Sequence, residues 1–352
     1  MNPSPKTAHP AKHTCQRSDQ LFVGRAVFSY THSINYHLYH LRQDKADIFT
    51  LAHNIFHNFC IILNNVLYHC SQDKADLRAM INKYISTQSN EILYHFNQLG
   101  KDCFDYSEAS NALPNSSESA LKELLSDMVR RGLLMRIKKG LYYIIPYEKE
   151  PESFMPDWHL LAQPLTKGTE HYIGYYSALQ IHNLITQPSL KEQIVVKRQM
   201  RPSILKIKEV DFQFIYHNEK HFFGFKKTWI DSFNRVLCSD LEKTFIDCLF
   251  KPDYAGGVVE IARAIYISKD KIKYGKLLNY TERFESQAVI KRLGFLLEIL
   301  DIKTDIIDKL QNVITKSYVL LDTELPKSGK MISRWSIQQN LETETIKSAI
   351  YT

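Results

Sequence analysis

Five cationic side chains fall within ten residues in the first half of the chain, and no acidic residue interrupts them. They are Arg130, Arg131, Arg136, Lys138 and Lys139. Lysine and arginine contact the phosphate oxygens of DNA, so this cluster predicts several phosphate contacts and an affinity that falls as the salt concentration rises.

Four residues ahead of that cluster complete the predicted DNA-binding set. Three are small and polar and the fourth is a cation: Ser116, Ser117, Ser119 and Lys122. Because they stand at the opening of a predicted helix, their side chains are placed to meet base edges or phosphates.

Two predicted helices precede these residues. The first covers 81–99, where apolar residues recur at helical spacing, and Gly100 ends it. Its apolar stripe is formed by Ile85, Ile92, Phe96 and Leu99. The second covers 106–113 and begins after Asp105, whose spacing to Glu108 is that of a capping box.

The third predicted helix carries the four polar residues, and a β-hairpin follows it. Asn115 and Glu118 repeat the capping spacing, and Gly132 ends the helix. Its inward face is predicted to hold Leu121, Leu124, Leu125, Met128 and Val129. Two β-rich runs, 133–137 and 141–145, are joined by Lys138-Lys139-Gly140, with glycine where positive φ is needed.

Three helices followed by a hairpin is the element order of a winged helix-turn-helix, in which the third helix enters the major groove of DNA. We therefore predict an α+β chain with a winged helix over 80–148 and a mixed α+β domain over 149–352. Winged helices also dock proteins, and a basic hairpin is also found as a solvated sheet edge. A protein-docking scaffold is the alternative function for this head.

The first 79 residues differ in character from the rest. Eight of the fourteen histidines lie there, and His53, His57, Cys60, His69 and Cys70 could form a zinc shell. The competing interpretation is a poorly structured extension, or one that arises from a misassigned start, with Met80 as the first residue. The change in patterning after Met80 favours the extension, and no metal site is predicted.

Composition narrows the class of protein further. The net charge of +7 suits an anionic partner, and the six cysteines show no CxxC pair. The N-terminus lacks the basic start, apolar core and small-residue cleavage site of a secretory signal, so none is expected. The most apolar early stretch, 48–68, is interrupted by histidine and asparagine, so no membrane segment is expected. No P-loop or GxGxxG motif is present, and no cofactor is predicted. We expect a cytoplasmic protein with reduced thiols.

The wing sequence resembles that of the AbiEi-type antitoxins, the regulatory half of abortive-infection toxin–antitoxin systems. Residues 130–134 and 139–143 carry this likeness, which covers roughly 81–340. The later blocks are Tyr172-Ile173-Gly174, Ser177-Ala178-Leu179 with His182, Asp240-Leu241-Glu242-Lys243-Thr244 with Asp247, Gly256-Gly257, Arg292-Leu293-Gly294 with Leu297-Glu298, and Arg334-Trp335 with Asn340. The order and spacing of the blocks are more specific than any single block.

Patterning of the body predicts mixed elements. We expect helices over 173–184 and 288–300, a strand over 193–200, and a hairpin that joins 210–216 to 222–225. Gly256-Gly257 is expected to turn the chain into the segment 258–267. Ser239 and Glu242 are expected to cap a further helix that buries Leu241, Phe245, Cys248 and Leu249. For Glu242, His182 and Trp335 we expect capping or packing, without catalysis.

The resemblance implies a non-enzymatic antitoxin that also represses its own operon. The winged helix would bind operator DNA, and the C-terminal domain would neutralise a nucleotidyltransferase-like toxin. The rival from another class is a metal-dependent nuclease, in which Asp253, Asp301 and Lys303 would mimic a paired-carboxylate-and-lysine site.

Overall fold

A computed structural model describes residues 85–185 and 187–350 of the chain. Helices and strands are both abundant there, so the predicted mixed α+β class is confirmed. The histidine-rich and cysteine-rich metal candidates of the first 79 residues lie outside the described residues. The division into an extension, a head and a body remains a prediction.

The head contains three helices: α1 Thr87–Gln98, α2 Tyr106–Ala112 and α3 Glu118–Arg130. The predicted capping box of α2 is present, because Asp105 accepts from the backbone of Glu108 and the Glu108 carboxylate accepts from the backbone of Asp105. The cap of α3 is Ser117, which accepts from the backbone of Ala120 at 3.3 Å. The prediction of Asn115 as that cap is wrong.

A three-stranded antiparallel sheet completes the head, with strands β1 Cys103–Asp105, β2 Leu134–Lys138 and β3 Leu141–Ile144 in the order β1-β3-β2. The predicted hairpin is the β2–β3 pair, and Gly140 adopts φ +76° in its turn. Sequence patterning missed β1, which pairs with β3.

The head core lies between the helices and one face of this sheet. Ile92, Phe96, Leu121 and Leu125 are buried in it, and the Phe96 ring stacks on Phe104 at 4.1 Å between centroids. The buried apolar stripe predicted for α1 is therefore confirmed for Ile92 and Phe96 and wrong for the residues at its two ends. Ile85 and Leu99 are exposed, since the helix is shorter than predicted at both ends.

The body begins with a 3₁₀ turn, Trp158–Leu161, and a short helix α4, Ala162–Leu165. Its six-stranded mixed sheet has the order β6-β7-β5-β4-β9-β8. The strands are β4 His171–Ile173, β5 Lys191–Val196, β6 Ile204–Ile207, β7 Val210–Tyr216, β8 Phe225–Trp229 and β9 Arg235–Ser239. Helix α5, Tyr175–Ile181, connects β4 to β5.

Two body predictions differ from the structure. The segment 173–184 starts in a strand, and only Tyr175–Ile181 is helical. The predicted hairpin partner of β7 is wrong, because β7 pairs antiparallel with β6 and Phe225 instead opens β8, which pairs with β9.

A helical half follows the sheet. Its helices are α6 Leu241–Phe250, α7 Gly257–Ser268, α8 Tyr274–Phe284, α9 Gln287–Ile299, α10 Ile306–Asn312 and α11 Thr343–Ser348, with a 3₁₀ turn at Pro252–Tyr254. A small sheet of β10 Val319–Leu320, β11 Lys330–Ile332 and β12 Ile337–Gln339 lies before α11.

Trp335 anchors this sheet to the helices, as its predicted packing role requires. Its indole is buried, and its N–H donates to Glu298 at 2.7 Å. A side chain at Gly294 would place Cβ 2.0 Å from the indole, so only glycine allows this approach of α9.

Head and body share a hydrophobic core at the β2–β3 hairpin. While Leu134 and Tyr142 face the head helices, Met135 and Tyr143 pack with Leu161 and other body residues. The hairpin is therefore covered on both faces, and of residues 134–140 only Arg136 and Lys139 are exposed.

Candidate nucleic-acid interface

Helix α3 presents an exposed face opposite its buried one. Ser117, Ser119 and Lys122 lie on this face, and Ser116 beside it is half-buried. The hydroxyls of Ser117 and Ser119 are 3.2 Å apart, close to the first turn, where free backbone N–H groups favour an anion. The predicted base-reading residues thus lie together at one end of one helix.

Lys122 already has a partner on its own helix. It forms an ion pair with Glu118 four residues earlier, and this contact raises the pKa of Lys122. Both side chains are exposed, so Lys122 can exchange Glu118 for a DNA phosphate at little cost in free energy.

The two arginines at the end of α3 differ in their surroundings. Arg130 is exposed and pairs with Asp127. Arg131 pairs with the same carboxylate at 2.7 Å, donates to the Ser89 hydroxyl at 2.8 Å, and is mostly buried. It therefore ties α3 to α1. Although residues 130–139 contain no acid, their first two arginines pair with Asp127, which lies one helical turn earlier.

The three hairpin cations also differ in their surroundings. Arg136 and Lys139 are exposed, and neither forms an ion pair with another described residue. Lys138 instead donates to the backbone carbonyl of Leu165 at 3.1 Å, which links the hairpin to α4. Exposure leaves Arg130, Arg136 and Lys139 open to phosphate, whereas Arg131 and Lys138 hold contacts within the chain.

A second group of polar residues lies inside the body, where two of the later sequence blocks meet. Tyr172, Lys243 and Asp247 are buried. Lys243 forms an ion pair with Asp247 and donates to the Tyr172 hydroxyl at 3.0 Å. Tyr172 donates to the other carboxylate oxygen of Asp247 at 3.0 Å.

His217 completes this buried cluster. Its Nδ1 is 3.3 Å from the Tyr172 hydroxyl and its Nε2 is 2.8 Å from the Tyr175 hydroxyl. Since Tyr172 donates its only proton to Asp247, it accepts from Nδ1–H of His217, and Nε2 accepts from Tyr175. Burial and the charge of Lys243 lower the pKa of His217 to about 2, so the imidazole is neutral.

The ionisation of the Lys243–Asp247 pair is set first by burial, which lowers the pKa of the lysine and raises that of the aspartate. The two side chains pair with each other, and the Tyr172 hydroxyl accepts from Lys243 and donates to Asp247. The cluster is buried and its members satisfy one another, which is the arrangement of a structural polar core.

Two other residues singled out in the body hold local structure together. The prediction that Glu242 caps α6 is wrong, because Asp240 is the cap of this helix. The Glu242 carboxylate instead accepts from the backbone N–H of Lys273 and from the ammonium group of Lys276. His182 is hydrogen-bonded to the Ser239 carbonyl at 2.9 Å, and burial lowers its pKa.

The residues of the nuclease rival lie on different elements. Asp253 lines a cavity of about 500 Å³ together with Tyr176, Lys191 and Glu260. Asp301 follows the end of α9, and Lys303 is exposed beyond it. Within the described residues, no group of three or more histidine, cysteine or acidic side chains gathers as a metal site.

Comparison with known proteins gives a family match within the head. Residues 91–145 match the family model of the AbiEi antitoxin transcriptional regulators. The resemblance predicted from the sequence is thereby confirmed over these residues. A search of curated proteins finds no match.

Among solved structures, the chain is similar to the RV2827C protein from Mycobacterium tuberculosis. The TM-score is 0.56 at 11% identity, with 77% of this chain and 97% of that chain covered. At this identity the likeness concerns the fold, and it extends well beyond the AbiEi-type segment. No helix among the described residues combines the length and apolarity that crossing a membrane requires.

Proposed function

We propose that this protein is an antitoxin and autorepressor whose head is a winged helix that binds operator DNA. The observation that carries the proposal is the exposed face of α3 together with two exposed hairpin cations, Arg136 and Lys139, that form no ion pair with another described residue. The match of residues 91–145 to a family of antitoxin transcriptional regulators supports the same role.

In this proposal α3 enters the major groove with its first turn foremost. Ser117 and Ser119 meet base edges, where hydroxyls act as both donors and acceptors. Arg130, Arg136 and Lys139 contact phosphates on either side. Lys122 exchanges Glu118 for a phosphate, whereas Arg131 and Lys138 keep the head in position through their contacts within the chain.

The second half of the proposal concerns the body. We infer that it neutralises a nucleotidyltransferase-like toxin encoded beside it, as the resemblance to AbiEi-type antitoxins implies. Support comes from the AbiEi antitoxin description of the matched segment and from the extent of the body, which forms its own mixed sheet and helical core.

A gel shift tests the DNA-binding half. The full chain is titrated against DNA upstream of its own gene and against unrelated DNA, over a series of salt concentrations. We expect specific binding, and we expect Arg136→Ala with Lys139→Ala to flatten the logarithmic salt dependence by about two, since each lost phosphate contact removes about one.

Lys327→Ala is the matched control, because Lys327 is an exposed lysine at a distance along the chain from the head. It should bind with the wild-type salt dependence. An unchanged slope in the double variant would remove the hairpin from the interface, and the absence of any shift would favour the protein-docking scaffold.

Co-expression with the neighbouring toxin tests the other half separately. The Arg136→Ala, Lys139→Ala variant should still restore growth, since the proposed antidote surface lies on the body. Loss of rescue in a variant that remains folded would place the hairpin in toxin neutralisation as well.

A further inference from the structure

Strand β8 forms one end of the six-stranded sheet of the body. It pairs with β9 on one side, and no strand of the described part of the chain lies on its other side. Its five residues pair with β9 in a continuous register, whereas the edge strand β2 of the head is interrupted by a bulge. Strand β6, at the other end of the body sheet, has four residues. Among the described edge strands, β8 is therefore the longest without a bulge.

The register of the β8–β9 pair shows which backbone groups of β8 remain free of β9. Just beyond β8, the Ile230 N–H donates to the Asn234 carbonyl at 3.1 Å. Hydrogen-bonded pairs alternate along an antiparallel ladder, so every second residue before Ile230 bonds to β9. The N–H and C=O groups of the residues between them, Phe225, Lys227 and Trp229, are directed toward the open edge. Free groups of this kind can accept a further strand.

The side chains along this edge are exposed and positively charged. Lys226 and Lys227 are both exposed, and neither forms an ion pair with another described residue. Because side chains alternate along a strand, the two ammonium groups extend from opposite faces of the sheet. A DNA backbone would lie along one face of such an edge, whereas an added strand carries side chains on both faces. The placement of the lysines therefore favours an acidic strand over DNA.

Trp229 offers an apolar contact at the end of the same edge. Its ring is half-exposed, and the guanidinium of Arg235, its partner on β9, stacks on it at 3.7 Å. Tryptophan and arginine are enriched among the residues that dominate protein interfaces. The edge thus combines free backbone groups, cations and an aromatic side chain.

We propose that β8 is a docking site for an extended acidic segment of a partner protein, which joins the sheet as a further strand. Two consecutive acidic residues of this segment lie beside Lys226 and Lys227, one on each face of the sheet. An apolar residue two positions from the acid beside Lys227 lies beside Trp229. The same lysines disfavour the pairing of two copies through β8, because like charges would meet. The proposal goes beyond operator binding and toxin neutralisation and depends on neither.

Two synthetic peptides with blocked termini probe the edge, one for each direction of the added strand. They are Ser-Val-Asp-Glu-Thr-Val-Thr and its reverse, Thr-Val-Thr-Glu-Asp-Val-Ser. Each places two acids and a valine at the spacing that the proposal requires. Calorimetric titration of the full chain should show saturable binding of at least one of them. Versions in which lysine replaces both acids should not bind.

Amide hydrogen exchange, followed by NMR, locates the bound peptide on the chain. In the free protein, the N–H groups of Lys227 and Trp229 should exchange fast, whereas those of Lys226 and Thr228 are protected by β9. The acidic peptide should slow exchange at Lys227 and Trp229. A contact made by side-chain charge alone would not change the exchange of these two groups.

Charge reversal tests the role of the lysines. Lys226→Glu with Lys227→Glu should weaken binding of the acidic peptides about tenfold or more and allow the lysine versions to bind. Lys206→Glu is the matched control, since Lys206 is an exposed lysine on the edge strand β6. It should leave the binding of both kinds of peptide unchanged.

A proline variant tests the backbone. Lys227→Pro removes an N–H that β9 does not use, and edge strands tolerate proline at such positions. It should weaken binding more than Lys227→Ala, which removes the same charge and keeps the N–H. Thermal melting of each variant checks that it is folded.

Four results would overturn the proposal. Failure of both acidic peptides to bind at millimolar concentration would leave the lysines as protection of the edge alone. Binding without slower exchange at Lys227 and Trp229 would exclude strand addition. Protection of these N–H groups without peptide, in a chain that sediments as a dimer, would assign the edge to a second copy. Their protection by duplex DNA and by neither peptide would assign it to nucleic acid.

Discussion

The charged residues of the head and those of the body lie in opposite environments. In the head, Lys122 and Arg130 are exposed and pair with acids of their own helix. In the body, Lys243 and Asp247 are buried together. The sequence analysis predicts that both sets belong to blocks that resemble one family, and the family model matches the segment of the head. Only the exposed set is accessible to a partner.

The difference shows that resemblance to a family does not by itself identify an interface. Exposed pairs contribute about 0–1 kcal/mol and can change partner. A buried pair is costly to desolvate, and removal of one partner leaves the other charge uncompensated. We therefore expect substitutions in the head to alter binding and substitutions in the buried cluster to alter folding.

The largest expected effect comes from Asp247→Ala. It leaves the ammonium group of Lys243 buried without its counter-charge, so the free energy of unfolding should fall by about 3–5 kcal/mol. Urea denaturation measures the change. Glu118→Ala, which removes an exposed partner in the head, should leave the free energy of unfolding close to that of the wild type.

A double variant sharpens this test. Lys243→Met with Asp247→Leu removes both charges and should recover much of the lost stability, since apolar residues of similar size replace buried pairs well. Equal losses from Asp247→Ala and Glu118→Ala would contradict the contrast between head and body.

Acidification should produce the next largest effect, also in the body. The pKa of His217 is lowered to about 2, from an ordinary value of 6.5. Below pH 6.5 the unfolded chain takes up a proton that the folded chain does not, so stability is present above this pH and is lost as the pH falls. From pH 6.5 to 5 one such histidine costs about 2 kcal/mol.

Other histidines modify this dependence. Burial also lowers the pKa of His171 and His182, which adds to the loss in acid. The pKa of His159 is raised by Glu192, so its contribution has the opposite sign and is lost as the pH rises. Urea denaturation at several pH values should give a shallower dependence in His217→Asn; an identical dependence would exclude this imidazole as the titrating group.

A smaller effect on stability is expected from the cap of a head helix. Ser117→Ala removes the cap of α3 and should cost about 1 kcal/mol, whereas Ser117→Asp keeps a cap and should remain near wild type. Operator binding should respond differently, since the aspartate places a negative charge against DNA. Gel shifts of both variants separate capping from recognition, and full affinity in Ser117→Asp would remove this residue from the interface.

Much of the head could be predicted because its signals are local. The capping box of Asp105 and Glu108, the buried stripe of α3 and the glycine turn of the hairpin each depend on residues within one or two turns of the chain. Strand β1 could not be predicted, because three residues are too few to show an alternation of apolar and polar side chains. Its partner β3 also lies almost forty residues later in the chain, outside the range of a local pattern.

The body was predicted less well because partner choice there is long-range. Val210–Tyr216 was recognised as a strand, but nothing in the pattern distinguishes Ile204–Ile207 from residues 222–225 as its neighbour. The candidate nucleic-acid interface could likewise be predicted only in part. Asp127 stands four residues before Arg131 and could have indicated their pairing, whereas the Leu165 carbonyl that binds Lys138 could not be foreseen.

Because the β2–β3 hairpin is covered on both faces, the head of this chain is not freely exchangeable. A head transferred to another body without a matching surface would expose Met135, Ile137, Leu141 and Tyr143 to water. Under the proposed function, recombination of whole heads is therefore expected to be a poor route to new DNA targets. Substitution on the outer face of α3, which leaves the shared core untouched, is the route that this architecture leaves open.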